Sequence, residues 1–161
     1  MEEWIRLLKA NDYLGIKKYL SNGGNPNDAE ENGESVICFA MRYGCDDEIL
    51  ELLIDQGADL HHLDMEGVSV FDVAVTYNRL DIIRRLIDEG FDVNHASRHS
   101  GFTPLMGAVC YGRTEVIRML LEKGVDVTAR DSHGLSAIDF ARKMHKKSIL
   151  TLLEGVKDGT D

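Results

Sequence analysis

Apolar residues recur along this chain in two alternating kinds of block. One is short and almost wholly apolar, as in Val36 to Met41, Val70 to Val75, Leu105 to Val109 and Ala137 to Ala141. The other carries its apolar residues at helical spacing, as in Leu80, Ile83, Leu86 and Ile87, or Val116, Ile117, Leu120 and Leu121. The first pattern predicts short helices with little wet surface, and the second predicts helices with one polar face. The breaks between blocks are chemically consistent. Asn32-Gly33, Glu66-Gly67, Ser100-Gly101 and His133-Gly134 are turn signals at loop tips. Two residues after each glycine stands a hydroxyl, Ser35, Ser69, Thr103 or Ser136, placed to cap the helix that follows. Ser69 and Asp72, and Ser136 and Asp139, read as acidic capping boxes, and Pro104 takes a first helical position. The short helix ends near Gly44, Asn78, Gly112 and His145, and the longer one closes on Gly57, Gly90 or Gly124.

These units repeat. The loop-tip glycines are 34, 34 and 33 residues apart, and Ala40, Ala74, Ala108 and Ala141 keep the same spacing. A period in this range marks one supersecondary unit copied along the chain, each copy burying its apolar face on the next. The stretch Gly101-Phe102-Thr103-Pro104-Leu105-Met106-Gly107-Ala108, continuing to Leu120-Leu121-Glu122-Lys123-Gly124-Val125-Asp126, resembles the ankyrin repeat. The resemblance implies an all-α ankyrin-repeat solenoid of five helix-turn-helix repeats with β-turn finger loops. Its repeats fall at about 1–28, 29–62, 63–95, 96–129 and 130–156, one domain over 1–156, with 157–161 as a frayed tail. The first repeat starts directly at a helix containing Trp4, Leu7 and Leu8, and both ends read as caps.

Departures from the family pattern carry information. The family's opening histidine is replaced by Cys38, Asp72, Met106 and Asp139, so the loop-to-helix hydrogen bonds must be rebuilt, with the two aspartates as candidates. One extra residue is expected around Cys45-Asp46-Asp47 and another around Ser97-Arg98-His99. Gly107 stands inside a helix, which costs about 1 kcal/mol, and is expected to make room for Phe140.

Charge divides the chain. Residues 1–67 hold fifteen acidic and five basic residues, whereas 68–161 hold thirteen of each. An acidic half keeps a small protein dispersed, and it also steers a basic partner toward the Glu30-Glu31-Glu34 finger. Nucleic acid is disfavoured, since Arg142, Lys143, Lys146 and Lys147 form the one basic cluster. No segment approaches the length of a membrane span, and Met1-Glu2-Glu3 is unlike a signal-peptide start. With three cysteines and no Cys-x-x-Cys pair, a reduced, cytoplasmic setting is expected.

Two rows of equivalent residues are candidates for partner binding. Tyr43, Tyr77, Tyr111 and Met144 end the short helices, and Glu34, Val68, Phe102 and Leu135 follow the finger glycines. The resemblance implies that both rows lie on the concave face between fingers and inner helices, where family members hold proteins. Tyr43, Tyr77, Tyr111, Met144, Val68, Phe102 and Leu135 are therefore the expected contacts, flanked by Arg42, Met65, Arg98 and His99. Phe102 is favoured because a loop-tip phenylalanine has little to bury it. Motifs for phosphate cradling, zinc proteolysis or nucleophilic hydrolysis are absent from the sequence. His62 and His95 would stand about 10 Å apart, one repeat spacing, too far to share a zinc, so no metal or cofactor is expected. Cys38 reads as inert, and Cys110 as exposed and oxidisable. The expectation is a monomeric, non-catalytic protein-binding module. The second reading is a dedicated chaperone or inhibitor subunit of one cytoplasmic enzyme.

Overall fold

The computed structural model describes residues 1–158; residues 159–161, the end of the expected tail, lie outside the described residues. Ten helices follow one another: α1 (Glu2–Lys9), α2 (Tyr13–Ser21), α3 (Val36–Arg42), α4 (Asp47–Asp55), α5 (Val70–Thr76), α6 (Leu80–Asp88), α7 (Pro104–Cys110), α8 (Thr114–Glu122), α9 (Ala137–Lys143) and α10 (Lys147–Asp158). They pair in chain order as five helix-turn-helix repeats, so the all-α reading holds. The chain divides, within the third repeat, into two compact units, Met1–Tyr77 and a second beginning at Asn78. In the first unit α1 packs on α2 and α3, and α3 packs on α4 and α5, while α2 lies against α4. In the second, α7 packs on α8 and α9, and α9 packs on α10.

Burial follows the two block types. From Val36 to Met41 every side chain is buried, as are all from Pro104 to Val109. The amphipathic helices bury one stripe: Ile49, Leu50 and Leu53 in α4, Ile82, Ile83 and Leu86 in α6, and Val116, Ile117 and Leu120 in α8. Burying one such side chain contributes about 1.5–3 kcal/mol, so the apolar stripes hold each unit together. Inner helices end on left-handed residues, three of them not glycine: Asn11 at φ 51°, Asn78 at φ 56° and His145 at φ 56°.

The missing histidine is replaced in a residue-specific way. Ser69 and Ser136 cap α5 and α9 by accepting the N–H of Asp72 and Asp139, whose carboxylates accept the serine N–H and hydroxyl in return. Thr103 caps α7 through the Met106 N–H, and the Met106 sulfur accepts the Thr103 N–H at 3.4 Å. Ser35 departs from the expectation. It starts α3 without a side-chain cap bond, its hydroxyl lying against the Cys38 thiol instead.

The Ser136 N–H, at 2.9 Å, is the main cause of an Asp139 carboxyl held below the usual carboxylate range. A depressed folded value means stabilisation present above the unfolded value of about 3.9 and lost as pH falls through the folded one. Asp139→Ala is therefore expected to cost about 1 kcal/mol at pH 7, with a smaller difference from the parent near pH 3. Urea unfolding at the two pH values checks it.

Both expected extra residues are found in their loops. Cys45 and Asp46 separate Gly44 from α4, whereas Arg79 alone separates Asn78 from α6. The loop before α7 also lacks the single β-bridge that closes three other fingers, Ala29 to Ser35, Leu63 to Ser69 and Arg130 to Ser136. Gly107 is buried in α7, and Phe140 packs on Phe102.

Candidate functional site

Each finger is a tight turn whose tip is held by its own side chains. Asp64 Oδ1 accepts the N–H groups of Glu66 and Val68, each at 2.9 Å, and Asp131 Oδ1 does the same for His133 and Leu135. The finger of the second repeat, hereafter the second finger, uses Asn32 instead, whose Oδ1 accepts the Glu34 N–H at 2.9 Å. Fingers are then tied to one another through backbone. In the first unit Met65 N–H donates to Asn32 O at 2.9 Å, and in the second Ser132 N–H donates to Ser100 O at 2.8 Å. Behind them, Asn27 Oδ1 accepts the Asp59 N–H and Asn94 Oδ1 accepts the Asp126 N–H, both at 2.7 Å. The fingers are thus preset rather than floppy, which lowers the ordering cost of binding.

In the first unit, two adjacent fingers and the end of α3 enclose a groove of about 360 Å³ lined by Glu34, Ser35, Cys38, Arg42, Asp64, Met65, Val68 and others. Glu34 is 7% exposed, and its two carboxylate oxygens lie 2.6 and 2.7 Å from one nitrogen of Arg42. Burial raises the Glu34 carboxyl above its ordinary value, with Arg42 pulling the other way. This overturns the expectation that Glu34 belongs to an open acidic finger. The Arg42 guanidinium also lies 5.2 Å from the Phe39 ring centre. His62 Nε2 meets Gly33 O at 2.6 Å, so this histidine braces the neighbouring finger. Tyr43 is half-buried, stacked on Phe39 at 5.9 Å with Lys9 5.5 Å from its ring centre. Met65 and Tyr77 are exposed and Val68 is half-buried.

In the second unit Tyr111 and Met144 are exposed at the ends of α7 and α9, and His99 is exposed in its loop. Leu135 is half-buried. Phe102 corrects the reason given for it. Its ring meets Phe140 edge-on at 5.5 Å, and the half-buried Arg98 places its guanidinium 5.0 Å from the ring centre, so the side chain has tertiary cover.

Reactive chemistry finds no foothold in these side chains. Cys38 is buried, and burial pushes its thiol up to about 11. Cys110 is half-buried with its thiol raised, chiefly by burial, which corrects the expectation of an exposed, oxidisable cysteine. Among the described residues no three His, Cys, Asp or Glu side chains gather as metal ligands. Nor is any described helix long and apolar enough to cross a membrane.

Paired helices in chain order, with finger loops between successive pairs, define a helical-repeat protein. The chain belongs to the ankyrin repeat family. The family profile "Ankyrin repeats (3 copies)" matches residues 6–97, 38–131 and 83–159. Among curated proteins it is similar to an ankyrin repeat-containing protein of Schizosaccharomyces pombe, with 38% identity over 52 residues. That match covers 32% of this chain and spans about a quarter of the relative's length. Ankyrin repeats are generally protein–protein interaction modules, and the matched residues contain no other kind of domain.

Proposed function

We propose that this protein is a non-catalytic module that holds a partner protein on its finger tips and inner-helix ends. The supporting observation is where large apolar side chains stay wet. Leu14, Leu63, Met65, Tyr77, Tyr111 and Met144 are the large apolar residues exposed among the described residues. Three of these six, Tyr77, Tyr111 and Met144, belong to the inner-helix row, and Met65 flanks it. Met65 at 69% and Tyr111 at 53% exposure leave most of their surface in water, and aromatic and methionine side chains in such positions are what interfaces use. Preset finger loops add to the case, because a partner then pays little for ordering them.

The test is the combined replacement of Met65, Tyr77, Tyr111 and Met144 by alanine. Each site is exposed, so thermal unfolding should stay within about 5 °C of the parent. Recovery of partner by cross-linking from the native extract should fall at least about tenfold, which corresponds to about 1.4 kcal/mol. Undiminished recovery would show that the partner sits elsewhere. A single enzyme recovered in equimolar amount would mark the module as an inhibitor or chaperone subunit rather than a general adaptor.

A further inference from the structure

We propose that the groove between the second and third fingers is a socket for one cationic side chain, lysine or arginine, from a basic segment of the partner. The inference rests on the proposed use of the finger face and names the chemistry that the first unit selects. The groove, about 360 Å³, has an apolar wall of Met65, Val68 and Val73 suited to an aliphatic stem. Facing it are the carboxylates of Glu34, Asp64 and Glu66 and the guanidinium of Arg42. That guanidinium is already committed, with both Glu34 oxygens within 2.7 Å of one nitrogen. Two negative charges therefore remain in excess around the opening.

A second observation is independent of charge. Ser35 lines the groove and is 4% exposed, and its buried hydroxyl makes no capping bond to α3 and lies instead against the Cys38 thiol. The equivalent hydroxyls of Ser69 and Ser136 are bonded to both partners of a capping box. With no helix N–H donating to it, the Ser35 oxygen keeps acceptor capacity for an N–H donor entering the groove. The surroundings point the same way, since residues 1–77 hold sixteen acidic and five basic residues. Such a field draws in a basic segment. An acidic or phosphorylated segment would meet the same carboxylates with Arg42 already engaged.

The experiment is a titration of the full ¹⁵N-labelled chain, followed by NMR, with short capped glycine–serine peptides. Their central residue is lysine, arginine, norleucine or glutamate. The lysine or arginine peptide should give saturable shifts at the amides of Gly33, Glu34, Met65 and Val68, with a Kd on the order of 1 mM, as expected for one side chain. Norleucine should bind at least about tenfold more weakly, and Glu66→Gln, a change at an exposed site, should weaken the cationic peptide severalfold. Equal binding of norleucine, preference for glutamate, shifts confined to other residues, or indifference to Glu66→Gln would each overturn the socket. If the cationic response is missing while the four alanines still abolish capture, the socket falls and the proposed function stands. A localised cationic response with capture indifferent to those alanines would keep the socket and remove the broader reading.

Discussion

Trp4→Ala is expected to lower the stability of the first unit by about 3–5 kcal/mol, the range for removing a large aromatic from a core. Trp4 is fully buried in α1, and its ring meets Tyr19 edge-on at 4.9 Å. Its indole N–H lies 3.1 Å from Asn25 O and 3.2 Å from Asp28 Oδ2. Removing it leaves a cavity and two acceptors without their donor, so both penalties fall at one site. The loss should reach the groove as well. Asp28 O accepts the Val36 N–H at 3.0 Å, so the residue that Trp4 anchors also holds the base of the second finger. Trp4→Phe separates the two effects by keeping most of the packing, and should cost about 1–2 kcal/mol. Urea unfolding followed by circular dichroism checks both; an alanine variant within about 0.5 kcal/mol of the parent would mean that this end of the chain does not act as a cap.

Gly33→Ala is the second large effect, expected at about 2–3 kcal/mol from backbone strain with an added steric clash. Gly33 has φ 85°, and a Cβ there would lie 3.1 Å from both Asp64 Cα and Met65 N. These are backbone atoms of the neighbouring finger, fixed by the Met65 N–H to Asn32 O bond at 2.9 Å, so nothing flexible can give way. Gly57 provides the control. Its φ is 96°, but a Cβ there meets nothing within 4 Å. Gly57→Ala should therefore show strain alone, about 1 kcal/mol. Equal losses in the two variants, measured by urea unfolding, would show that the fingers are not in tight register. A larger loss at Gly33 would measure what holding the fingers in contact contributes.

The array was legible because its signals are local. A hydroxyl before a helix, a glycine at a loop tip and a 3.6-residue stripe each state a backbone requirement within a few residues. The acidic capping boxes at Ser69 and Ser136 belong to the same class, and both are formed. What failed depended on which side chains meet, within a repeat or across one. Ser35 looked like the other caps, yet its hydroxyl turns to the Cys38 thiol and the cap bond is not made. Phe102 looked uncovered because Phe140, 38 positions on, could not be placed against it from spacing alone. Glu34 looked like one more acid in an acidic finger until Arg42 was found beside it. Asn27 and Asn94 were missed as inter-repeat clamps, although both recur at the same place in their units; asparagine in a loop carries too many ordinary explanations to single out.

The asparagine clamps have a kinetic consequence. Asn27 reaches 32 residues to Asp59 and 30 to Gly57, Asn94 reaches 32 to Asp126, and Asn11 reaches 35 to Asp46. Each tie closes a loop about one repeat long, and the entropic charge for closing a loop rises only with the logarithm of its length. Assembly can thus begin at any well-formed helix pair and spread outward by equal steps, with sequence-distant encounters never limiting the speed.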